Sequence, residues 1–261
     1  PRPGATEAEL AAYAFAMSVT DALRVGTATG QPVQLYLFDV ESELAAISIG
    51  DLDTAADVAV LVPGLGTTVT SSMTEQVERA SLIWAGADSV TADGEVAVLA
   101  WIGYDAPNLA QATMPVHAMW GGPALASTLS GLAVRPGSPP ATTVVAHSYG
   151  TLTTRYAAAE DGDLATDAVV LVGSPGTNSV TADFDIPDEQ VYVGVASLDP
   201  VVWSEWHGIS PDNEIYGAAC IDAGAPGLVD GHSSYFEPGS EALAEMAVII
   251  RGRYDLVRCD D

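Results

Sequence analysis

Lysine is absent from this chain of 261 residues, and all eight basic residues are arginine. Acidic residues number 35, which gives a formal net charge of −27. A surface of that sign repels the phosphates of nucleic acids and of anionic membranes, so neither is expected as a partner. The simplest interpretation is a solvated acidic surface; a funnel for cationic substrates is the less favoured alternative.

Long apolar runs are also missing, although 48% of the residues are hydrophobic. Apolar runs such as 58–62 and 168–172 are far too short to cross a bilayer, so no transmembrane segment is expected. The length suits one compact α/β domain, residues 1–261, with residues 1–30 as an N-terminal helical extension. No internal repeat or low-complexity linker indicates a second domain.

Cysteine occurs only twice, as Cys220 and Cys259. Neither belongs to a Cys-x-x-Cys motif or a Cys/His cluster, so no metal site is expected. The two lie 39 positions apart, and a disulfide between them is worth roughly 4 kcal/mol in the chain-entropy model. Two unrelated buried thiols are the alternative. A disulfide favours an oxidising compartment, which predicts a secreted or cell-surface protein, with the cytoplasm as the other possibility.

Strand-like and helix-like segments alternate along the second half of the chain. Capping boxes at 6–9 and 72–75 and the apolar periodicity predict helices at 6–24, 72–87, 149–160 and 240–250. Strands are predicted at 33–38, 45–49, 58–62, 95–101, 142–146, 168–172 and 191–196. Residues 114–132 are expected to be partly helical, with a break at Gly121-Gly122-Pro123. Most strands are apolar throughout, as when helices cover both faces of a sheet.

A serine stands where a β-branched strand runs into a helix, in the segment Thr-Thr-Val-Val-Ala-His-Ser-Tyr-Gly at 142–150. This context is typical of a nucleophile elbow, a sharp turn that raises a serine Oγ above the sheet. It predicts Ser148 as a nucleophile. The turn requires small residues two positions before and after the serine; Gly150 meets this, and Ala146 is the smallest possible departure from glycine.

Ser174 is a second serine that follows a strand and precedes a glycine by two positions. The next residue, Pro175, has no backbone N–H to donate to an oxyanion. Val172 is also too bulky for an elbow. Ser174 is therefore interpreted as a turn residue.

Four histidines compete for the role of general base. The segment at 142–150 resembles the nucleophile elbow of α/β-hydrolases. In those enzymes the catalytic residues follow one another along the chain as Ser, then Asp or Glu, then His. His117 and His147 precede Ser148 and are excluded by this order. His232 is preferred because it lies in a loop just before the last predicted helix, whereas His207 is interpreted as structural or pocket-lining.

Asp199 is predicted as the acid that orients the imidazole of His232, because it follows the strand at 191–196. Two aspartates are rivals. Asp183 follows the preceding strand, a position that some hydrolases use. Asp230 is only two residues from His232, which makes it a poor independent orienting group.

The glycine-rich loop after the strand at 58–62 predicts an oxyanion-binding site. Its Leu65 N–H is the expected donor, with Gly66 as the alternative, and the Tyr149 N–H at the start of the helix after Ser148 is the second donor. The loop lacks the Gly-Lys-Ser/Thr of a phosphate-binding P-loop.

Six segments together resemble a bacterial α/β-hydrolase family, common in actinobacteria and long of unknown function. These segments are Val62-Pro63-Gly64, Trp101-Ile102-Gly103-Tyr104-Asp105-Ala106-Pro107, His147-Ser148-Tyr149-Gly150, Gly173-Ser174-Pro175-Gly176, Asp199-Pro200-Val201 and His232-Ser233-Ser234-Tyr235-Phe236. The resemblance covers roughly residues 33–253, although members usually have glycine in place of Ala146. It implies an α/β-hydrolase fold, with a mostly parallel central sheet and helices on both faces, and it supports the same three catalytic positions. Tyr104 and Asp105 are expected to shape the pocket, with a structural turn as the alternative.

The sequence thus predicts a serine hydrolase that cleaves carboxylic esters, small-molecule or lipid, through an acyl-enzyme. No metal or organic cofactor is implied. One alternative is a cofactor-free haloperoxidase or lyase that uses the same three residues. The other is a catalytically degenerate binding or cell-surface module.

Overall fold

A central β-sheet organises the molecule in the computed structural model, which describes residues 4–160, 164–224 and 231–259. Within these ranges eight strands form the sheet: β1 (Val33–Asp39), β2 (Leu44–Ile49), β3 (Asp57–Val62), β4 (Val96–Ile102), β5 (Ala141–His147), β6 (Ala168–Val172), β7 (Val191–Gly194) and β8 (Ala219–Ile221). Their spatial order is β1-β2-β4-β3-β5-β6-β7-β8. The β1–β2 and β2–β4 pairs are antiparallel and the other pairs are parallel.

Helices cover both faces of this sheet. In the described residues they are α1 (Glu7–Thr27), α2 (Val69–Thr91), α3 (Val116–Ala133), α4 (Tyr149–Ala158) and α5 (Glu241–Ile250). The helices α1, α2 and α5 contribute to one apolar core, and α3 and α4 contribute to a second. Successive strand residues alternate between the two cores, so the inner strands are apolar at most positions. This arrangement is the α/β-hydrolase fold, as the sequence predicted.

The start of α2 differs from the prediction. Thr68, with extended backbone, is the N-cap, and its Oγ1 accepts the Ser71 N–H at 3.2 Å. The capping box predicted at Ser72 is wrong, because the helix has already begun at Val69. Ser72 instead lies in the first turn of α2.

The helix α3 runs through Pro123 without a break, so the interruption predicted at Gly121-Gly122-Pro123 is wrong. Proline removes only one backbone N–H from the hydrogen bonds of the helix. Because Pro123 is exposed, the carbonyl that loses this donor lies on the solvent side of the helix. The two glycines face neighbouring elements: a Cβ on Gly122 would lie 2.6 Å from the Tyr156 carbonyl carbon. Close packing against α4 therefore holds the helix together where proline weakens it.

Strand β8 was not predicted, since three residues are too few to show the alternation or apolar run that indicates a strand. Its central residue, Cys220, is joined to Cys259 by a disulfide, with their Cα atoms 5.5 Å apart. Beside this bond the Asp222 N–H donates to the Arg258 carbonyl at 2.9 Å. The C-terminal segment is thus attached to the edge of the sheet. None of the helices in the described part of the chain is long and apolar enough to span a bilayer.

Candidate active site

Ser148 occupies a strained turn between β5 and α4. Its φ of 56° and ψ of −130° lie outside the regions that non-glycine residues normally adopt. The Ser148 N–H donates to the Val172 carbonyl at 2.9 Å, which fixes the turn against β6. Two residues on, a Cβ on Gly150 would approach the Val62 carbonyl oxygen to 2.5 Å, so this position admits only glycine. The local geometry is that of a nucleophile elbow.

A hydrogen-bonded chain of three side chains begins at this serine. The His232 Nε2 is 2.8 Å from the Ser148 Oγ, and the His232 Nδ1 is 2.9 Å from Asp199 Oδ2 and 3.0 Å from its Oδ1. Ser148 follows β5 and Asp199 follows β7, both at the carboxyl edge of the sheet. His232 arrives from the loop before α5. The three residues that the sequence singled out are therefore brought together.

Asp199 is completely buried and yet has partners for both carboxylate oxygens. Besides His232, the Tyr235 hydroxyl donates to its Oδ2 at 2.7 Å and the Val201 N–H to its Oδ1 at 2.9 Å. Burial raises the pKa of Asp199, but the hydrogen bonds and the charge of His232 outweigh it and leave the pKa below its ordinary value. The group is thus a carboxylate that can stabilise a protonated imidazole.

His147, the residue before the serine, is buried against His232. Their ring centroids lie 4.7 Å apart, and the His147 Nε2 is 2.7 Å from the His232 carbonyl oxygen, to which it donates. Burial, with the positive charges of His232 and Arg79, lowers the pKa of His147 to about 3. His147 is therefore neutral, and it holds the backbone that carries His232.

Two residues that line the site have a backbone N–H without a hydrogen-bond acceptor in the described structure. Leu65 follows β3, and Tyr149 is the first residue of α4, where no intrahelical acceptor exists. Gly66, the alternative donor, is less suitable because its N–H already donates to the Pro107 carbonyl at 2.8 Å. Leu65, Tyr149 and Ser148 all line the same cavity.

That cavity has a volume of about 300 Å³ and opens beside Ser148 and His232. Its mouth carries exposed apolar side chains, those of Leu65, Leu109 and Trp206. One wall of the cavity is polar and comes from α2. An apolar mouth around a serine hydroxyl suits a small molecule that has a carbonyl group and little charge.

Three residues expected at the pocket do not line this cavity, although Gly66 does. The Tyr104 ring turns inward, and its hydroxyl donates to the Pro63 carbonyl at 2.7 Å, beneath the loop that carries Leu65. The Asp105 side chain points outward and is 84% exposed. His207 packs edge-on against the Tyr149 ring, and its Nε2 is 2.7 Å from the Ala112 carbonyl. The pocket-lining expectation is wrong for Tyr104, which supports the loop from beneath, and for Asp105, which points to solvent. His207 has the structural role, one of the two that the sequence allowed.

Ser174 and Asp183, two of the rival residues, have hydrogen-bond partners outside the chain of Ser148, His232 and Asp199. Ser174 is buried and its Oγ is 2.8 Å from the Thr151 Oγ1, as expected of a turn residue. The Asp183 carboxylate accepts the Val180 N–H at 2.9 Å in an exposed turn. Asp230 lies outside the described residues. Across those residues, no three His, Cys, Asp or Glu side chains are grouped so that they could hold a metal ion.

An alpha/beta hydrolase family model matches residues 39–204. The chain belongs to the alpha/beta hydrolase family. The uncharacterized protein Rv2079 of Mycobacterium tuberculosis (strain ATCC 25618 / H37Rv) is 34% identical over 268 residues, which cover 88% of this chain and 40% of that protein. A second uncharacterized protein of the same strain, Rv0963c, is 36% identical over 171 residues, or 60% of this chain and 62% of its own length. The chain thus spans about two fifths of the length of the first of these curated relatives.

Solved structures with the alpha/beta hydrolase fold include several esterases. The esterase LipW from Mycobacterium marinum has a TM-score of 0.52 at 13% identity, over 96% of this chain and 90% of that one. A fungal esterase from Rhizomucor miehei has a TM-score of 0.54, also at 13% identity, over 98% and 99% of the two chains. At this level of identity the similarity establishes the fold.

Several residues of this alpha/beta hydrolase site were not predicted as site residues. Tyr235 supports Asp199, and His147 holds the His232 backbone, as described above. One wall of the cavity comes from α2, whose polar residues recur at helical spacing just after the glycine-rich loop. That spacing was visible in the sequence, and its position after β3 is the signal that would have identified it.

Proposed function

We propose that this protein is a serine hydrolase that cleaves carboxylic esters through an acyl-enzyme. The observation that carries the proposal is the unbroken hydrogen-bonded chain from Ser148 through His232 to Asp199, opening on a cavity. In this proposal Ser148 is the nucleophile, His232 the general base and Asp199 the acid that orients it. Leu65 and Tyr149 supply the oxyanion hole.

The proposed reaction begins when His232 Nε2 takes the proton of the Ser148 hydroxyl as Oγ forms a bond to the ester carbonyl carbon. The oxygen of the tetrahedral intermediate accepts hydrogen bonds from the Leu65 and Tyr149 N–H groups, which are fixed before the charge develops. The Asp199 carboxylate stabilises the imidazolium. His232 then gives its proton to the departing alkoxide as the carbon–oxygen bond breaks, which leaves an acyl-enzyme and a free alcohol.

Water completes the cycle by the same route. His232 takes a proton from water as the hydroxide attacks the acyl carbonyl, and a second tetrahedral intermediate forms in the same oxyanion hole. The collapse of this intermediate releases the carboxylic acid, and His232 returns the proton to Ser148 Oγ. Esters are the preferred substrate class because neutral carbonyl compounds suit the apolar mouth of the cavity, and the fold is one that known esterases share.

Labelling with a fluorophosphonate probe, followed by mass-spectrometric mapping, tests this proposal. We expect the wild type to be labelled at Ser148 and Ser148→Ala to be unlabelled, with ester turnover lowered by about 10⁴–10⁶-fold. Ser174→Ala is the matched control, since Ser174 also follows a strand and precedes a glycine by two positions. Folded wild-type protein that takes up no label, or a Ser148→Ala variant that retains turnover, would contradict the proposal.

A further inference from the structure

One wall of the cavity consists of polar residues on a single face of α2. Ser72, Glu75, Gln76 and Arg79 stand at positions i, i+3, i+4 and i+7, which share one side of a helix. We call these four residues the α2 wall. Nothing in the ester-cleaving steps above uses it.

Gln76 is the least satisfied member of the α2 wall. The side chain is 2% exposed, it lines the cavity, and its Oε1 has no hydrogen-bond partner in the described residues. Buried polar groups are nearly always hydrogen-bonded, and because the Gln76 side chain lines the cavity, a group that enters the cavity can supply the missing partner. A substrate hydroxyl in the cavity can form a hydrogen bond with this amide, whereas a methylene group cannot.

Glu75 and Arg79 give the α2 wall both signs of charge. Their side chains form an ion pair at 2.5 Å across one turn, and the guanidinium lies 4.9 Å above the ring of Phe236. Because the two charges offset each other, the wall offers hydrogen-bond donors and acceptors without a net charge. Such a surface favours a neutral group that both donates and accepts, and a hydroxyl group does both.

We propose that the α2 wall is a subsite for a neutral, hydroxyl-bearing part of the substrate, so that the protein prefers hydroxylated esters to plain alkyl esters. This inference rests on the proposed esterase function and specifies its substrate class. The cavity volume of about 300 Å³ is at the small end for ligand sites, which suits a short hydroxylated group.

Matched ester pairs test the subsite on both sides of the ester bond. The acyl-side pair is p-nitrophenyl 3-hydroxybutanoate and p-nitrophenyl butanoate; the alcohol-side pair is 1-butanoylglycerol and propyl butanoate. Each kcat/KM is divided by the rate of hydroxide hydrolysis of the same ester, which removes differences in intrinsic reactivity. The proteins are the wild type, Gln76→Met as a near-isostere without hydrogen-bonding groups, and Gln76→Leu in case the first variant fails to fold.

Glu78→Leu is the matched control, because Glu78 is an exposed residue of the same helix that does not line the cavity. We expect the wild type to favour the hydroxylated ester about tenfold in at least one pair, and the Gln76 variants to lose about that factor. Glu78→Leu is expected to keep the wild-type ratio. The midpoint of thermal unfolding establishes that each variant is folded.

The outcomes separate the subsite from the esterase proposal. Ser148-dependent cleavage of both pairs with no preference for hydroxylated esters, or a preference that both Gln76 variants retain, would overturn the subsite alone. Absence of Ser148-dependent cleavage of every ester would overturn the esterase function, and the subsite with it. A preference that disappears with Gln76 and persists in Glu78→Leu would support the inference.

Discussion

His147 links the chemistry of the site to the stability of the fold. Its pKa is lowered to about 3 by burial and by nearby positive charge, against an ordinary value of 6.5. Below pH 6.5 the unfolded chain binds a proton at this histidine that the native protein does not bind. The free energy of unfolding therefore falls as pH decreases from about 6.5 toward 3, and the contribution of His147 is fully present only above that range.

We predict that in His147→Gln the free energy of unfolding falls less as the pH decreases, since a glutamine side chain does not bind a proton in this range. Urea unfolding at about pH 7 and about pH 4.5 measures the effect. Over this interval the wild type is expected to lose about 2–3 kcal/mol more than the variant. The comparison between the two proteins cancels the titration of the many surface carboxylates. Equal losses would show that His147 is protonated in the native state.

Residues of the site differ in how well the sequence could predict them. Ser148, Asp199 and His232 could be predicted as neighbours because Ser148 and Asp199 follow predicted strands, His232 precedes a predicted helix, and the three occur in a fixed chain order. The direction of a side chain in a loop carries no such signal: Tyr104 and Asp105 are adjacent, yet Tyr104 turns under the glycine-rich loop and Asp105 points toward solvent. The role of Gln76 likewise depends on which elements surround α2, and this is set by the tertiary fold.

The packing of α3 against α4 affects the position of Ser148, because α4 begins at the next residue. On α3, a Cβ at Gly122 would lie 2.6–2.8 Å from main-chain atoms of Tyr156 and Ala157. Backbone cannot give way as a side chain can, so the two helices must separate. We therefore predict that Gly122→Ala lowers the free energy of unfolding by roughly 1–3 kcal/mol and reduces ester turnover.

Gly131→Ala is the control for this prediction, on the same helix. A Cβ there meets only the Tyr36 hydroxyl, at 3.4 Å, so the substitution should be neutral or should stabilise by up to about 1 kcal/mol through helix propensity. Chemical unfolding of both variants, with turnover measured on the folded proteins, makes the comparison. If Gly122→Ala were as stable as Gly131→Ala, the close packing of α3 on α4 would not be needed.

The observed strands and helices match the predicted ones closely where composition and periodicity indicated the same element. The apolar strands β3 to β6 were predicted almost to the residue, since their burial on both faces requires a continuous apolar run. The predictions failed where tertiary contacts compensate for a local defect, as at Pro123 in α3. Strand β8 was missed because three residues acquire their conformation from pairing with β7.

The net charge of −27 acts on the molecule as a whole. Folding brings the acidic side chains closer together, and salt screens their repulsion over about 10 Å at 0.1 M ionic strength. We therefore predict that the midpoint of thermal unfolding rises as NaCl is increased from about 10 mM to about 1 M. A neutral solute at matched osmolality is the control for general solvent effects. A midpoint that is independent of salt would contradict the prediction.

The disulfide between Cys220 and Cys259 has a consequence for a chain that has been cut. Ser148 lies before the first cysteine, and His232 lies between the two. A protease that breaks any peptide bond between the cysteines leaves the two fragments joined, because the sulfur–sulfur bond bypasses the cut. When the cut lies before His232, only the disulfide still joins the fragment that carries His232 to the fragment that carries Ser148. The covalent integrity of the nicked protein then depends on its redox environment.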